Sequence, residues 1–398
     1  MQPNRVKTVS PGAEARRDIE TIEEGERLSD LILDLQSRGL RINAPFERRP
    51  GGAGPSDAGM IWVEGRPVTV PVDSSYVATS PYSLEAEDAG HGIYRDGVRV
   101  ATAAPADRPR FYDMTTEDGT PYWKLALMHM DSLASTVLQT CAYWGNENQC
   151  HFCGIGVSLA SESTTIVKRL EQLAEVAVAA AKYDGAVDIT LTTGSTRGKD
   201  RGALYVSRCG SAMKEASGLP VEVQFEPPED LGVIDRVADL GIDSVGIHVE
   251  TFDPAVLARV APPKAKTGIE HYFKAWEYAV KRFGEGQVST YVILGMGEDP
   301  ELTIEGCKRA IDIGVYPFIV PLRPVPGSLM AEVQPPPREY TERISRMVAP
   351  YLVDRGITAD KVAAGCARCQ ACSVVGTMEQ FVALSGLETK PKTSAHVG

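Results

Sequence analysis

From about residue 130 onward, short apolar segments alternate with longer segments of helical periodicity. Six segments read as strands: STVLQT (135–140), AVDITLTT (186–193), VEVQFE (221–226), SVGIHVE (244–250), VSTYVIL (288–294) and YPFIVPL (316–322). The segments between them, such as Leu302–Ile313, have apolar residues at helical spacing. Strands that alternate with helices form βα units around a parallel sheet. The chain is therefore predicted to be an α/β protein with about six parallel strands in a partial or full TIM-like (β/α) barrel.

The first 125 residues have a different pattern. Apolar residues at helical spacing over 18–40 predict an amphipathic helix. The segments MIWVEGRPVTVPV and GIYRDGVRVATA each place an acidic residue and a glycine between apolar runs, which predicts two β-hairpins. We predict four regions: a small α+β cap at 1–125, the barrel at 126–335, a helical, cysteine-rich extension at 336–386, and a disordered tail at 387–398.

Charge and hydropathy limit the location and the partners of the protein. The chain has 41 Lys and Arg against 53 Asp and Glu, and its net charge of −12 disfavours nucleic acid as a partner. No apolar run reaches the ~20 residues needed to cross a membrane, and the first residues lack a signal-peptide pattern. We therefore expect a cytoplasmic protein with no membrane partner, whose eight cysteines stay reduced and are available to metals.

The first predicted strand leads directly into three cysteines, Cys141, Cys150 and Cys153, in the segment CAYWGNENQCHFC. Three thiolates on one loop can hold three irons of a cubane cluster, which leaves the fourth iron open to another ligand. A zinc site is the alternative, because His151 or the cysteines near the C-terminus could supply a fourth ligand.

A barrel strand followed by three cysteines, the last two in the form C-x-aromatic-C, resembles the radical S-adenosylmethionine (SAM) superfamily. The resemblance implies that Cys141, Cys150 and Cys153 ligate a [4Fe–4S] cluster and that Phe152 packs near the SAM adenine. The eight residues between Cys141 and Cys150 exceed the usual spacing of the superfamily.

The following strand ends supply the other residues that match this superfamily. Thr193 and Gly194 take the place of a glycine-rich turn whose backbone binds the SAM amino group, although the segment alone reads as an ordinary turn. Glu226, at the end of the third predicted strand, is expected either to direct a carboxylate into the barrel mouth or to cap the next helix. The segment around Glu250 resembles the fourth strand of lipoyl synthase and of the hydrogenase-maturation and biotin-synthase group. There an acidic residue contacts SAM, and a later basic residue pairs with its carboxylate. Lys266, Lys264 and Arg259 are the candidates for that basic residue.

The last two strands add weaker matches. Gly295 belongs to a segment that resembles the glycine-containing element beside the adenine, and Arg323 follows the sixth strand, where superfamily members contact adenine and substrate. Arg323 also has a structural interpretation as a surface residue beside a proline-rich turn.

A second set of cysteines, Cys366, Cys369 and Cys372, lies in the segment GCARCQAC. On a continuous helix the third member of such a set drifts off the face shared by the first two, so a common metal requires a turn. We predict a second iron–sulfur cluster here, with structural zinc as the alternative. Cys209 and Cys307 fall in helical segments and are predicted to be buried thiols.

Within the superfamily, the chain resembles uncharacterised bacterial radical SAM proteins encoded beside a nitrilase, which are related to biotin and lipoyl synthases. The resemblance implies an oxidoreductase or transferase that cleaves SAM to a 5′-deoxyadenosyl radical, which abstracts hydrogen from a small-molecule substrate. A flavodoxin or ferredoxin is the implied electron donor. Two alternatives stay open: sulfur insertion with a sacrificial C-terminal cluster, and a zinc-stabilised barrel without enzymatic activity. Whether SAM is consumed or regenerated also stays open.

Overall fold

The computed structural model describes residues 16–54, 58–88 and 90–389. Within these residues, the predicted helix and hairpins of the amino-terminal region are present. Helix α1 (Ile22–Arg38) begins at Thr21, whose side chain accepts a hydrogen bond from the amide of Glu24. The six strands that follow are β1 (Arg41–Ile42), β2 (Gly59–Val63), β3 (Arg66–Val70), β4 (Tyr82–Glu87), β5 (Gly90–Arg95) and β6 (Val98–Pro105). They form one sheet in the order β1-β4-β5-β6-β2-β3.

Both hairpins turn at the acidic-Gly pairs. The β2–β3 turn has Glu64 at φ 48° and Gly65 at φ 79°, and the β5–β6 turn has Asp96 at φ 49° and Gly97 at φ 82°. Two consecutive residues at positive φ give the turn whose twist suits a hairpin, and the second position favours glycine. The two dipeptides therefore account for the local chain reversals.

A second sheet of seven strands holds the rest of the molecule together, in the order β13-β12-β11-β10-β9-β8-β7. Its strands are β7 (Leu127–His129), β8 (Ser132–Thr136), β9 (Asp188–Thr192), β10 (Val221–Gln224), β11 (Ser244–Gly246), β12 (Val288–Leu294) and β13 (Val315–Pro321). β7 pairs antiparallel with β8, and neighbouring strands from β8 to β13 pair in parallel. The edge strands β7 and β13 do not pair with each other in the described part of the chain. The predicted α/β class is confirmed, with the sheet open.

Helices connect the parallel strands. They are α2 (Val157–Ala160), α3 (Leu170–Tyr183), α4 (Ala203–Ser217), α5 (Gly232–Asp239), α6 (Pro254–Val260), α7 (Pro262–Thr267), α8 (Ile269–Phe283) and α9 (Pro300–Asp312). Cys209 in α4 and Cys307 in α9 are buried, as predicted. The fully buried Trp276 of α8 donates to the carbonyl of Ile247 at 2.9 Å, which fixes the backbone just beyond β11.

Two predicted strands end earlier than the sequence suggested. β8 stops at Thr136 instead of residue 140, because the amide of Gln139 bonds to the carbonyl of Ile166 rather than to the sheet. β11 stops at Gly246 instead of residue 250, and Glu250 forms an isolated bridge with Val292 at φ 73°. In both places the irregular backbone leads into the edge of the sheet where the predicted site residues lie.

The chain closes with α10 (Arg338–Arg355), α11 (Cys366–Cys369) and α12 (Val375–Thr389). Helix α12 packs against both α10 and α1, so the two ends of the chain meet. One hydrophobic core includes residues from the amino-terminal sheet, the large sheet and this extension. Helix α12 continues to residue 389, and the rest of the predicted disordered tail at 387–398 lies outside the described residues. No helix among the described residues is long and apolar enough to span a membrane.

Candidate cluster and cofactor site

The residues that follow the parallel strands share one edge of the sheet, because parallel strands have their carboxyl ends on the same side. Each predicted site residue in the barrel follows one of these strands: Cys141 after β8, Gly194 after β9, Glu226 after β10, Glu250 after β11, Gly295 after β12 and Arg323 after β13. The contacts of these residues divide them between two places in the molecule.

The loop with Cys141, Cys150 and Cys153 is held by backbone hydrogen bonds to neighbouring segments. The amide next to Cys141, that of Ala142, donates to the carbonyl of Ser195 at 2.8 Å. The amide of His151 donates to the carbonyl of Val260 at 2.8 Å, and that of Cys153 donates to the carbonyl of Cys150 at 3.1 Å. The loop is therefore fixed between the end of β9 and the end of α6.

The three thiols are partly buried. Burial raises the pKa of Cys141 and Cys150 and raises that of Cys153 to about 11. The charge of Lys264 opposes this effect at Cys150 and Cys153, and the thiol of Cys141 acts on that of Cys153. A buried thiolate needs a cation or a metal beside it. Three partly buried thiols on one loop are therefore a donor set that fits an iron–sulfur cluster with one open iron.

Lys264 and Glu250 form an ion pair next to these cysteines. Nζ of Lys264 donates to Oε1 of Glu250 at 2.9 Å and to the carbonyl of His248 at 2.6 Å. Burial alone lowers the pKa of Lys264, but the charge of Glu250 outweighs it and the pKa is raised well above its usual value. Lys264 is thus the basic residue beside Glu250. Lys266 lies elsewhere, with its Nζ 2.7 Å from Oδ1 of Asn148 on the cysteine loop.

Glu226 takes part in a chain of polar contacts near the cysteines. The hydroxyl of Tyr143 lies 3.3 Å from Oε2 of Glu226 and accepts from Nη1 of Arg201 at 2.6 Å. Burial and the charge of Glu226 raise the pKa of Tyr143 to about 12, so the phenol stays protonated. Tyr143 and Arg201 were not predicted. Their sequence signal was weak, because both lie in loops whose approach depends on the tertiary fold.

Gly194 has a steric reason to lack a side chain. Its amide donates to the carbonyl of Leu138 at 3.0 Å, and a Cβ at this position would lie 1.9 Å from the carbonyl oxygen of Thr140. The hydroxyl of Thr193 donates to the carbonyl of Gly194 at 3.1 Å. Gly194 therefore allows the end of β9 to touch the segment immediately before Cys141.

Gly295 and Phe152 have structural contacts of their own. The amides of Gly295 and Met296 both donate to the carboxylate of Glu298 at 2.8 Å, and the hydroxyl of Tyr340 donates to the same carboxylate at 2.9 Å. The amide of Gly295 is therefore already satisfied within the chain. Phe152 is partly buried and packs against the main core.

His248 is a further residue that the sequence analysis did not select. Its Nδ1 accepts from the amide of Tyr291 at 3.1 Å, and its buried Nε2 has no hydrogen-bond partner in the described part of the molecule. Burial, followed by the charge of Lys264, lowers the pKa of His248 well below its usual value. With Nδ1 accepting, the neutral ring carries its proton on Nε2. The sequence signal available for His248 was its position near the end of the fourth predicted strand, SVGIHVE.

The second cysteine set lies at the opposite end of the sheet, below a cavity of about 160 Å³. The cavity is lined by all three cysteines and by interior residues of the strands, among them Ser132, Thr136, Thr192, Gln224, Tyr291 and Phe318. Arg323 belongs to this region: its Nη2 donates to the carbonyl of Thr69 at 2.7 Å, and its charge acts on Cys372.

In neither cysteine set are the described side chains arranged around a single metal position. No group of three or more His, Cys, Asp and Glu side chains within the described residues has the spacing to hold a metal ion.

Known proteins resemble the part of the chain that carries this site. Residues 145–311 match the family described as the radical SAM superfamily, a range that includes Cys150, Cys153 and strands β9 to β12. The bacteriochlorophyllide c C-7(1)-hydroxylase of Chlorobaculum limnaeum is 31% identical over 133 residues, which are 33% of this chain and 33% of that protein. The match thus spans about a third of the relative.

Two solved structures are similar to this chain at low identity. Methylornithine synthase PylB has 15% identity and a TM-score of 0.43, with 62% of this chain and 69% of that chain covered. A radical SAM methyltransferase from Sphaerobacter thermophilus has 14% identity and a TM-score of 0.44, with 70% and 75% covered.

Proposed function

We propose that this chain, which contains a radical SAM superfamily domain and is an enzyme of that superfamily, binds a [4Fe–4S] cluster through Cys141, Cys150 and Cys153. The observation that carries the proposal is the position of these three partly buried thiols on one loop beside the buried pair of Lys264 and Glu250. When bound, such a cluster supplies the electron that cleaves SAM into methionine and a 5′-deoxyadenosyl radical, which takes a hydrogen atom from the substrate.

The charged residues at the strand ends suit the methionine part of SAM, which has an amino group and a carboxylate. We assign the carboxylate to Lys264, the basic residue that lies beside Glu250, rather than to Lys266. Glu226 and Glu250 are the acidic groups available to the amino group. The backbone of Thr193 and Gly194 lies next to the segment that leads into Cys141, so it can contribute carbonyl groups to the same amine.

The adenine and ribose require apolar and neutral polar surfaces. Phe152 on the cysteine loop and the backbone at Gly295 are the residues that we assign to the adenine. The proton on Nε2 of His248 has no acceptor among the described residues, and it is available to a ribose hydroxyl or to the substrate.

The substrate is proposed to be a small molecule that occupies the cavity inside the barrel. The walls of the cavity combine Phe318 and Tyr291 with the polar side chains of Thr136, Thr192 and Gln224. Such a lining suits a compact ligand with apolar and hydrogen-bonding parts. A small reductant protein of the flavodoxin or ferredoxin type is the proposed electron donor, and the cytoplasm, which keeps thiols reduced, is the proposed location.

Sulfur insertion is the second candidate function. It is favoured by the position of Cys366, Cys369 and Cys372, which line the cavity proposed for the substrate. A sulfide-containing cluster at that point would lie beside the substrate carbon. This candidate requires loss of sulfide from the C-terminal site in each turnover, whereas hydrogen abstraction without sulfur transfer leaves the site intact.

The test is reductive SAM cleavage by protein purified without oxygen. Wild type is expected to form 5′-deoxyadenosine and methionine with a strong reductant, and Cys150→Ala is expected to form neither. Cys307→Ala is the matched control, because Cys307 is a buried thiol in α9. Cleavage by Cys150→Ala at the wild-type rate would overturn the proposal. A colourless wild type that contains zinc would support the non-enzymatic alternative.

A further inference from the structure

The segment around Cys366, Cys369 and Cys372 turns where a shared metal would require it to turn. Helix α11 ends at Gln370, which has φ 62°, so the chain leaves the helical path between the second and the third cysteine. All three thiols consequently line the same cavity. A left-handed conformation at a residue other than glycine costs about 1 kcal/mol or more, and the surrounding structure must enforce it.

Buried carboxylates at the amino ends of the strands anchor this segment. The amide of Gly365 donates to Asp188 at 2.7 Å, and the amide of Cys366 donates to Glu222 at 3.2 Å. Arg368 binds both Asp188 and Asp131, with a closest contact of 2.7 Å to each. These contacts hold the cysteines against the end of the barrel opposite to the first cysteine loop.

His129, the last residue of β7, inserts its ring between two of the cysteine sulfurs. Its Nδ1 lies 3.6 Å from Sγ of Cys369, and its Nε2 lies 3.7 Å from Sγ of Cys372. Each ring nitrogen therefore faces a different sulfur, and the imidazole belongs to the same group of side chains as the cysteines.

The surroundings of the thiols suit an anionic group. Arg323 and Arg49 act on Cys372 by their charge, and Arg368 is close enough to interact with Cys369. Hydroxyl groups reach the sulfurs as well: that of Tyr291 lies 3.0 Å from Sγ of Cys366. Hydrogen bonds to sulfur and nearby charge are the features by which proteins stabilise iron–sulfur clusters and set their potentials.

We propose that Cys366, Cys369, Cys372 and His129 bind a second iron–sulfur cluster at the amino end of the barrel, with the imidazole as the fourth protein ligand. Four protein ligands close the cluster, so it has no open iron for SAM. The cluster forms one wall of the cavity and is placed to exchange electrons with a substrate bound there.

The proposal is tested in a chain that lacks the first cluster, Cys141→Ala/Cys150→Ala/Cys153→Ala. This variant should retain about four irons per chain, as one cubane cluster gives. Adding Cys366→Ala, Cys369→Ala and Cys372→Ala should remove all of them. The proposal would be overturned if the variant without the first cluster contained no iron while wild type contained it. It would also be overturned if that variant contained about one zinc per chain in place of the iron. Failure of the first cluster to form would leave this measurement unchanged, so the two proposals are tested separately.

The role of His129 is tested on the intact wild-type protein without SAM. Incorporation of ¹⁵N-histidine should change the nitrogen hyperfine coupling of the reduced cluster signal, and His129→Cys should abolish that coupling while iron is retained. His91→Ala, on β5 of the amino-terminal sheet, is the matched control and should leave the coupling unchanged. An iron–sulfur signal with no histidine coupling would overturn the assignment of His129 as a ligand.

Discussion

Nζ of Lys264 lies 2.9 Å from Oε1 of Glu250, and the two side chains are only 9% and 10% exposed. The positive φ of Glu250 and the hydrogen bond from Lys264 to the carbonyl of His248 tie this pair to the backbone just beyond β11. Removing one member of a buried pair leaves a charge without compensation, whereas replacing both members with apolar residues is often neutral for stability.

Glu250→Gln is therefore expected to lower the free energy of unfolding by about 3–5 kcal/mol and to weaken SAM binding. The double variant Glu250→Leu/Lys264→Met should regain most of the stability but should not regain SAM binding. Urea unfolding and equilibrium binding of SAM to anaerobic protein measure the two effects. The control Lys266→Met, which removes only the contact with Asn148, should leave both unchanged. Wild-type SAM affinity in the double variant would contradict the assigned role.

Gly194→Ala is predicted to disrupt the first cysteine loop. A Cβ at residue 194 would lie 1.9 Å from the carbonyl oxygen of Thr140, so the backbone before Cys141 must move. We expect at least a tenfold loss of SAM cleavage and fewer irons bound at the first site. Anaerobic iron analysis and product formation are the measurements. Gly386→Ala, in α12 with open space at its Cβ, is the control and should behave as wild type. Full iron content in Gly194→Ala would show that the loop adapts.

The local pattern of the sequence was sufficient to predict the fold class. Alternation of apolar strands and helical segments depends on short-range periodicity, and the acidic-Gly pairs at 64–65 and 96–97 directly determine the two hairpin turns. The strand ends were less predictable. The residues before Glu250 predict that it ends a strand. Its positive φ results from the tertiary environment and cannot be inferred from the residue type.

Long-range pairing limited what could be predicted about the sites. The sequence offered three basic candidates near Glu250, and only the folded structure distinguishes Lys264 from Lys266. His129 precedes Cys369 by 240 positions, so no spacing rule could connect them. The turn required between Cys369 and Cys372 was predictable from helix geometry, and Gln370 provides it.

Lys168 is expected to make stability depend on pH above neutrality. Burial lowers the pKa of Lys168 to about 7, and its Nζ donates to the carbonyl of Gly52 and to Oγ of Ser135 without a carboxylate nearby among its described contacts. Since the pKa in the folded state lies below that in the unfolded chain, this residue stabilises the fold fully above pH ~10.5 and loses that contribution as the pH falls toward 7.

Lys168→Met should remove this dependence. Between pH 7 and 9, the wild-type free energy of unfolding should gain about 2 kcal/mol relative to that of the variant. Urea unfolding at both pH values gives the difference, and groups that titrate in both proteins cancel. Lys308→Met, at a partly exposed lysine of α9, serves as the control. Parallel pH curves for wild type and Lys168→Met would show that Lys168 keeps an ordinary pKa.

Arg368→Gln is predicted to destabilise the amino end of the barrel most strongly at neutral pH. Arg368 binds Asp131 and the fully buried Asp188, and Arg16 also contacts Asp131. Burial alone raises the pKa of Asp131, but hydrogen bonds from Arg16 and Arg368 outweigh it and hold the pKa well below its usual range. The pair therefore stabilises the fold above pH ~4, and this contribution is lost as the pH falls. We expect a loss of about 3–5 kcal/mol at pH 7, as for other broken buried ion pairs, and a smaller loss near pH 3.

The same substitution should release the segment with Cys366, because Arg368 joins it to both carboxylates. Iron at the second site should fall while iron at the first site is retained, which distinguishes a local effect from general unfolding. Arg343→Gln removes an exposed ion pair with Glu301 and should leave both the unfolding midpoint and the iron content unchanged, since exposed pairs contribute little. If Arg368→Gln loses as much stability at pH 3 as at pH 7, the charge on Asp131 and Asp188 is not what the arginine compensates.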